Sequence, residues 1–371
     1  MAEDKNKYIL SINGMSKSFG RNKVLKHIDL NVKPGTIMGL MGENGAGKST
    51  MMKCLFGTYQ KDEGVIILDG KEVNFSGPKE ALENGVAMVH QELNQCLERS
   101  VIDNLFLGRY PKNSLGVVDE GRMKKEASDL FRKLGITVNL TQPMKRMSVS
   151  KRQMCEIAKA ISYNSKIIVL DEPTSFLDIR HKLELLTILK QMVLDHQLTV
   201  IMSLHELDLA QKISDKVICV HGEYIEKYGA PEEIFTSEYI RKLYGITRGS
   251  YNAAFGCVEM DPPRGEPQVF VIGGNGSGIP YYRKLQRQGI PFAAGVLHTN
   301  DVDCQVAGAL ADQVITEKPF ESISQESYDK AVELMKKCQK VICPLKDFGT
   351  VNAANRELLR LARELGILAE L

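Results

Sequence analysis

The sequence predicts a multi-domain α/β protein built on parallel sheets. Three short apolar runs, at residues 167–170, 198–202 and 217–220, are separated by segments of helix length. This alternation is typical of parallel strands joined by crossover helices. A second series of strand-like runs begins near residue 269. The length of 371 residues corresponds to roughly two to three domains.

The composition is that of a globular protein from a reducing compartment. Apolar residues make up 43% of the chain and charged residues 25%, with a formal net charge of +2. No stretch approaches the roughly 18 apolar residues of a membrane-spanning helix, and the first residues do not resemble a signal peptide. The balanced charge argues against a nucleic-acid protein that works by bulk electrostatics. The eight cysteines include no C-x-x-C pair, so we interpret them as free thiols.

Residues 8–75 are predicted to be rich in strands before and after one short helix. Apolar and polar residues alternate over 27–33, which predicts a half-buried strand. Asp69-Gly70 predicts a tight hairpin between the strands 65–68 and 71–75.

The segment from about 91 to 163 is predicted to be helical. Apolar residues recur at helical spacing over 123–134, where Gly135 supplies a stop, and the same spacing returns over 154–161. We expect this segment to form a helical subdomain within a first domain of residues 1–248.

A Pro- and Gly-containing segment, 249–267, is predicted to be a linker, with its stiffest part at 261–267. Residues 268–371 follow as a small α/β domain with a final amphipathic helix. Its predicted strands are 269–272, 292–297, 313–316 and 340–343.

The strongest chemical motif is Gly42-Glu43-Asn44-Gly45-Ala46-Gly47-Lys48-Ser49-Thr50, a complete G-x-x-x-x-G-K-[ST] pattern after the strand-like run 37–41. Its glycines let backbone N–H groups surround phosphate oxygens, and the following helix offers its positive end to the same anion. Lys48 would contact the β- and γ-phosphates, and the Ser49 hydroxyl can bind Mg²⁺. The alternative is a glycine-rich turn with a chance lysine.

Two acids follow the apolar run 167–170. A buried strand therefore delivers Asp171 and Glu172 to its carboxyl end, where α/β sheets bind ligands. We expect Asp171 to hold Mg²⁺, directly or through water, and Glu172 to act as the general base toward the attacking water. Such a pair alone usually marks an exposed loop, but the phosphate-loop motif favours the functional interpretation.

With these motifs, residues 5–245 resemble the ATP-binding-cassette ATPase family. The resemblance implies a P-loop NTPase cassette with a parallel core sheet, an antiparallel β subdomain and a helical subdomain. Phe19 matches the aromatic residue that stacks on adenine, with core packing as the alternative. Gln91 matches the glutamine that reaches Mg²⁺ and the water, and 175–178 matches the loop that couples two nucleotide sites. His205 matches the switch histidine, with a structural role as the alternative.

The family's Leu-Ser-Gly-Gly-Gln signature is altered here. The matching stretch begins Met147-Ser148-Val149-Ser150, so the serine is kept and both glycines are lost. Ser148 could still reach a nucleotide bound by the partner copy, although the side chains limit how closely the backbone approaches. Either the site is inactive in trans or it is a relaxed, working variant, which we favour.

The resemblance has two parts. Residues 35–175 resemble the first cassette of galactose- and ribose-type importers, whereas 177–245 resemble the ATPases of iron–siderophore and cobalamin uptake. We therefore expect the ATPase subunit of a bacterial importer, of a monosaccharide first and of a siderophore or cobalamin as the alternative. A hydrolysis-impaired nucleotide-sensing regulator is a further hypothesis. A cassette protein of translation or DNA repair is disfavoured, because it would usually need two cassettes or a long coiled coil.

The resemblance also implies the cofactors and partners. These are ATP and Mg²⁺, a second ATPase copy in a head-to-tail dimer, transmembrane permease subunits, and indirectly a solute-binding protein. The helical segment would contact the permease, which would place the chain peripherally on the cytoplasmic face of the cell membrane. No nucleic-acid partner is expected.

The second domain opens with another glycine-rich turn. Gly274, Gly276 and Gly278 resemble a dinucleotide fingerprint, but Ile279 occupies the position of its third glycine. The turn could be a tight strand-to-helix connection or part of a regulatory ligand pocket. The expected fold is Rossmann-like.

Overall fold

The computed structural model describes residues 7–369, and its contacts divide the chain into two units between Phe235 and Thr236. Within the described range, the strands of the first unit are β1 (Leu10–Phe19), β2 (Asn22–Val32), β3 (Ile37–Met41), β4 (Glu63–Leu68), β5 (Lys71–Val73), β6 (Val86–Val89), β7 (Ile167–Leu170), β8 (Thr199–Ser203), β9 (Lys216–His221) and β10 (Tyr224–Gly229). Its helices are α1 (Lys48–Leu55), α2 (Pro78–Glu83), α3 (Val101–Leu105), α4 (Glu120–Lys133), α5 (Val149–Ile161), α6 (Ile179–His196), α7 (Leu207–Ile213) and α8 (Pro231–Ile234), with a 3₁₀ turn at Met144–Arg146.

A six-stranded sheet forms the centre of the first unit, in the order β10-β9-β3-β8-β7-β6. All neighbours in it are parallel except β10, which runs antiparallel to β9. Every residue of β3, β7 and β8 is buried, which explains why these strands are apolar in the sequence except for Thr199 and Ser203 at the two ends of β8. Because they are parallel neighbours, their carboxyl ends meet at one edge, where the predicted site residues follow them.

A second, antiparallel sheet has the order β2-β1-β4-β5. The predicted hairpin joins β4 to β5, with Leu68 opposite Lys71. Its two turn residues, Asp69 and Gly70, have φ values of 50° and 75°, as a two-residue hairpin turn requires. Apolar residues from this sheet, from the central sheet and from α1 share one buried core.

The predicted helical segment contains α3, α4 and α5, so both apolar stripes lie on helices. The carboxylate of Asp119 caps α4 by accepting from the Arg122 N–H at 2.9 Å. Gly135, with φ 66°, follows the end of the same helix.

The second unit contains a four-stranded parallel sheet. The strands described in this unit are β11 (Ser250–Asn252), β12 (Cys257–Glu259), β13 (Val269–Val271), β14 (Phe292–His298), β15 (Gln313–Glu317) and β16 (Lys340–Ile342), and the helices are α9 (Ser237–Leu243), α10 (Ile279–Gln288), α11 (Val302–Leu310), α12 (Gln325–Lys337) and α13 (Ala353–Glu364). The parallel sheet has the order β15-β14-β13-β16, and two apolar clusters pack against it. The four predicted strands match it closely.

The segment 249–267 is more ordered than a linker. It contains the antiparallel pair β11 and β12, which belongs to the second unit. The buried Glu259 carboxylate pairs with Arg283 of α10, and the Asn252 side chain donates to the Gln305 carbonyl at 3.4 Å. The unit boundary after Phe235 thus precedes the predicted boundary at 248.

No disulfide bond joins any of the eight cysteines, all of which lie within residues 7–369. Among the described residues, no helix is both long and apolar enough to cross a bilayer.

Candidate functional site

The glycine-rich loop after β3 has a backbone that other residues would not adopt easily. Gly42, Gly45 and Gly47 have φ values of 140°, 84° and 92°. A Cβ on Gly42 would collide with the Val220 carbonyl oxygen, and one on Gly47 would lie 2.8 Å from a Leu25 methyl group. The loop therefore needs glycine at these positions both for conformation and for space.

Lys48, the first residue of α1, is buried, with 6% of its surface exposed. Its Nζ donates to the carbonyls of Gly42 and Glu43, at 2.8 Å each. Burial lowers the pKa of Lys48, and the nearby carboxylates of Glu172, Asp171 and Glu43 oppose that shift. Across residues 7–369, no side chain accepts a hydrogen bond from the N–H groups of 44–49. The loop and the lysine thus present unused donors and a buried positive charge, which suit a phosphate chain.

The Asp171 carboxylate follows β7 and lies beside the start of α1. The Ser49 hydroxyl donates to Asp171 Oδ1 at 3.0 Å. Both residues, together with Gln91, line a cavity of about 350 Å³. Hydroxyl, carboxylate and amide oxygens are the hard donors that Mg²⁺ prefers, so this donor set fits the implied ion.

The Glu172 carboxylate joins residues from two distant parts of the chain and one near neighbour. Gln91 Nε2 donates to Glu172 Oε2 at 2.6 Å, His205 Nε2 lies 2.5 Å from Oε1, and the Ser175 hydroxyl donates to Oε2 at 3.2 Å. Glu172 has a left-handed backbone with φ 48°. The strand order explains this meeting, because β6, β7 and β8 are neighbours and Gln91, Glu172 and His205 follow their carboxyl ends.

Phe19 ends β1 and is 44% exposed, which argues against the alternative of core packing. The Tyr59 ring meets it edge to face, with 5.1 Å between the ring centroids. Lys17 Nζ lies 5.2 Å from the Phe19 centroid. A planar base could therefore stack on the exposed part of the ring.

Ser148 lies outside this cluster. Its hydroxyl caps α5 by accepting from the Lys151 N–H at 3.4 Å, and the next residue, Val149, is 41% exposed at the start of that helix. No hydrogen bond among the described residues joins Ser148 to the glycine-rich loop.

Two further residues belong to the site although the sequence analysis missed them. Ser203, the last residue of β8, hydrogen-bonds both Asp171 and Glu172. Glu206 accepts from Lys182 Nζ at 2.6 Å and from the Thr174 hydroxyl at 2.8 Å. Burial alone would raise the pKa of Glu206, but these hydrogen bonds, a backbone hydrogen bond and the Lys182 charge together lower it.

The second glycine-rich turn, after β13, is bound by a carboxylate of the chain itself. The N–H groups of Gly274, Gly278 and Ile279 donate to the fully buried Asp303, at 2.5 to 3.2 Å. Asn275 N–H donates to Asp301 at 2.8 Å. Burial raises the pKa of Asp303, and the backbone hydrogen bonds oppose the shift. These contacts favour the interpretation as a tight structural turn.

Two family models match parts of the chain. Residues 25–175 match the model described as ABC transporter, and residues 292–369 match the model described as MJ0874 family.

Similar proteins include two import ATP-binding proteins. The galactose/methyl galactoside import ATP-binding protein MglA of Treponema denticola is 57% identical over 209 residues, or 56% of this chain and 42% of that protein. Its namesake from Treponema pallidum is 51% identical over 239 residues, or 64% of this chain and 48% of that protein. The chain thus spans about half the length of these relatives.

Solved structures resemble the fold. CbiO1 from Clostridium perfringens, part of the ABC transporter complex CbiONQ, matches with a TM-score of 0.55 and 24% identity over 64% of this chain and 94% of that one. The dimeric structure of MJ0796, a bacterial ABC transporter cassette, matches with a TM-score of 0.53 and 21% identity over 60% and 98%. These similarities show a cassette fold.

Proposed function

Residues 25–175 lie in an ABC transporter ATPase domain, and on that premise we propose that the chain is the ATP-hydrolysing subunit of a bacterial importer. The observation that carries the proposal is the Glu172 carboxylate, held by Gln91 and His205. The names of the similar proteins from Treponema favour galactose or methyl galactoside as the solute. An iron–siderophore or cobalamin is the alternative solute.

ATP binding would use the glycine-rich loop. Its N–H groups and Lys48 would bind the phosphates, and Phe19 would stack on adenine. Ser49, Gln91 and Asp171 would hold Mg²⁺, which when bound neutralises charge on the phosphate oxygens. Burial of Lys48 strengthens its attraction for a phosphate because little water screens it.

Hydrolysis would use Glu172 as the general base. A carboxylate oxygen takes a proton from the attacking water, while Gln91 and His205 fix the orientation of that carboxylate. The described hydrogen bond of the Ser148 hydroxyl caps α5, and Ser148 would serve the nucleotide of a second copy in a head-to-tail dimer. Support for such a dimer comes from the dimeric structure of the similar cassette MJ0796.

Transmembrane permease subunits would dock on the helical segment, at the cytoplasmic face of the membrane, and a solute-binding protein would act through them. A cavity of about 440 Å³ between that segment and α6 supports this proposal, because the half-buried Leu130 lies beside the Arg109 guanidinium in its lining. Such a mixed cleft suits an amphipathic helix of a partner.

Glu172→Gln should lower ATP turnover in the assembled transporter at least about 100-fold, since the base is lost while shape is kept. Nucleotide affinity should stay near that of the wild type. Glu83→Gln, on the exposed face of α2, is the matched control and should leave turnover unchanged. Undiminished turnover in Glu172→Gln would rule out this assignment of the base.

The solute can be identified with the same assembly. A galactose-loaded binding protein should stimulate ATP turnover, whereas a ferric-siderophore-loaded one should not. The reverse result would establish the alternative solute.

A second candidate is a nucleotide-sensing regulator, favoured by one observation: Val149 and Ser150 begin α5 where the family has glycines. Replacing both residues with glycine should then create turnover where the wild type has none. If the wild type already hydrolyses ATP as fast as the variant with both glycines, this candidate is excluded.

For the second unit we propose a regulatory role through a small ligand. Its strand order reverses at β13, and open α/β sheets bind ligands at the carboxyl ends of strands beside such a reversal. The contacts of Asp303 argue against a phosphate in the glycine-rich turn. Calorimetry of the full chain with a metabolite panel tests the role, and a panel without any binding would contradict it.

A further inference from the structure

We propose that Ser203 is a positioning residue for ATP hydrolysis that holds Asp171 and Glu172 together in their working geometry. The inference rests on the proposed function and deepens it, since it adds a residue that acts through the two acids.

One buried hydroxyl connects both acidic residues. Ser203 is fully buried at the carboxyl end of β8, and its Oγ donates to Asp171 Oδ1 at 3.0 Å. The same oxygen accepts the Glu172 N–H at 2.8 Å. A hydroxyl has one hydrogen to give and lone pairs to accept with, so it can make both bonds at once. Alanine would remove both bonds, because it has no polar atom to replace the hydroxyl.

The bond to Glu172 constrains a backbone that needs support. A residue other than glycine keeps a left-handed conformation, here φ 48°, only where its surroundings fix it. The Glu172 N–H bond to Ser203 is such a constraint, and the backbone in turn determines where the carboxylate meets Gln91 and His205. Losing the bond should misplace the base more than it affects nucleotide binding.

The bond to Asp171 leaves one carboxylate oxygen for a cation. Ser49 and Ser203 both donate to Oδ1. Across residues 7–369 no group donates to Oδ2, which is thus available to a divalent ion. Partners that orient a metal-binding carboxylate usually matter for metal affinity.

The strand provides a matched control. Thr199, at the other end of β8, is also fully buried, and its hydroxyl accepts the Gly35 N–H at 3.1 Å. Removing this hydroxyl removes a partly buried hydrogen bond from the same strand without touching either acid.

The experiment uses the full chain in the assembled transporter with Ser203→Ala, Ser203→Cys and Thr199→Ala. Three quantities are measured: kcat and KM for ATP at saturating Mg²⁺, the Mg²⁺ concentration for half-maximal binding of a fluorescent ATP analogue, and the thermal unfolding midpoint. Ser203→Ala should lower kcat and raise the Mg²⁺ requirement by roughly 10- to 100-fold each, with KM nearly unchanged. Ser203→Cys, with a weaker donor of similar size, should give smaller changes of the same kind. Thr199→Ala should lower only the unfolding midpoint.

The outcomes separate the inference from the proposed function. If the wild type is active and the Ser203→Ala variant keeps the wild-type kcat and Mg²⁺ requirement, the inference about Ser203 is overturned and the proposed function is not. The same losses in Thr199→Ala would also overturn it, since general destabilisation would then explain them. If Ser203→Ala does not fold, a Ser203→Cys variant indistinguishable from the wild type would overturn it. A wild type without Mg²⁺-dependent ATP binding would overturn the proposed function itself.

Discussion

At the scale of single residues, Gly42 has the least freedom to change. A methyl group there would meet the Val220 carbonyl, and φ is 140°. Gly42→Ala should therefore cost at least about 2 kcal/mol of unfolding free energy and reduce ATP affinity, as measured by urea unfolding and by titration. Gly77→Ala is the control, because Gly77 has extended backbone and open space around it. Equal stability of the two variants would contradict the steric argument.

The residues of the site differ in how far the sequence predicts them. Lys48 and Glu172 lie in motifs whose spacing reflects chemistry, so the sequence is enough to single them out. Ser203 and Glu206 carry no such pattern, because their importance comes from partners more than 20 residues away in the chain. Ser203 gives one usable signal: it ends the strand next to the one that delivers the acids.

At the scale of elements, Glu317 connects the end of β15 to the start of α12. Its carboxylate accepts from the Ser324 N–H at 2.8 Å and from the Ser324 hydroxyl at 2.7 Å. These bonds, the backbone one first, together with hydrogen bonds from the Lys318 N–H and the Ser327 side chain, lower the pKa of Glu317 from 4.5 to about 2. The folded chain therefore releases this proton more readily than the unfolded chain. The stabilisation is complete above pH 4.5 and is lost as the pH falls toward about 2.

Urea unfolding of the full chain tests this connection. The advantage of the wild type over Glu317→Gln should narrow as the pH falls from about 5 to about 3. Glu321→Gln, which changes an exposed carboxyl on the same loop, is the matched control. A difference that stays constant with pH would mean that the Glu317 charge does not hold the loop.

Elements were predictable where local pattern and tertiary role agree. The strands β7 and β14 are buried on both faces, and their sequences are therefore continuous apolar runs that predict buried strands. The pair β11 and β12 has only three residues in each strand and depends on contacts with α10 and α11. The residues just after this pair are rich in Pro and Gly, so the local composition predicts a linker.

At the scale of the whole molecule, the boundary between the units has a measurable consequence. Residues 236–371 include the β11–β12 pair, whereas the predicted domain 268–371 lacks it. The shorter fragment leaves Arg283 without Glu259 and uncovers part of α11. Both fragments should fold, but 236–371 should have the higher unfolding midpoint by circular dichroism. Equal midpoints would show that the pair contributes no stability to the second unit.

The glycine-rich turns after β3 and after β13 both connect a strand to a helix, but they differ in one respect that determines how many nucleotides each chain binds. The turn after β3 has donors free for an external anion, whereas the turn after β13 already holds the Asp303 carboxylate as an internal one. Equilibrium dialysis should therefore find one ATP per chain. A second equivalent would require the nucleotide to displace a carboxylate that the protein supplies to itself. The two turns thus look alike in sequence and differ in chemistry, because one offers N–H donors to an external anion and the other donates to a carboxylate of the same chain.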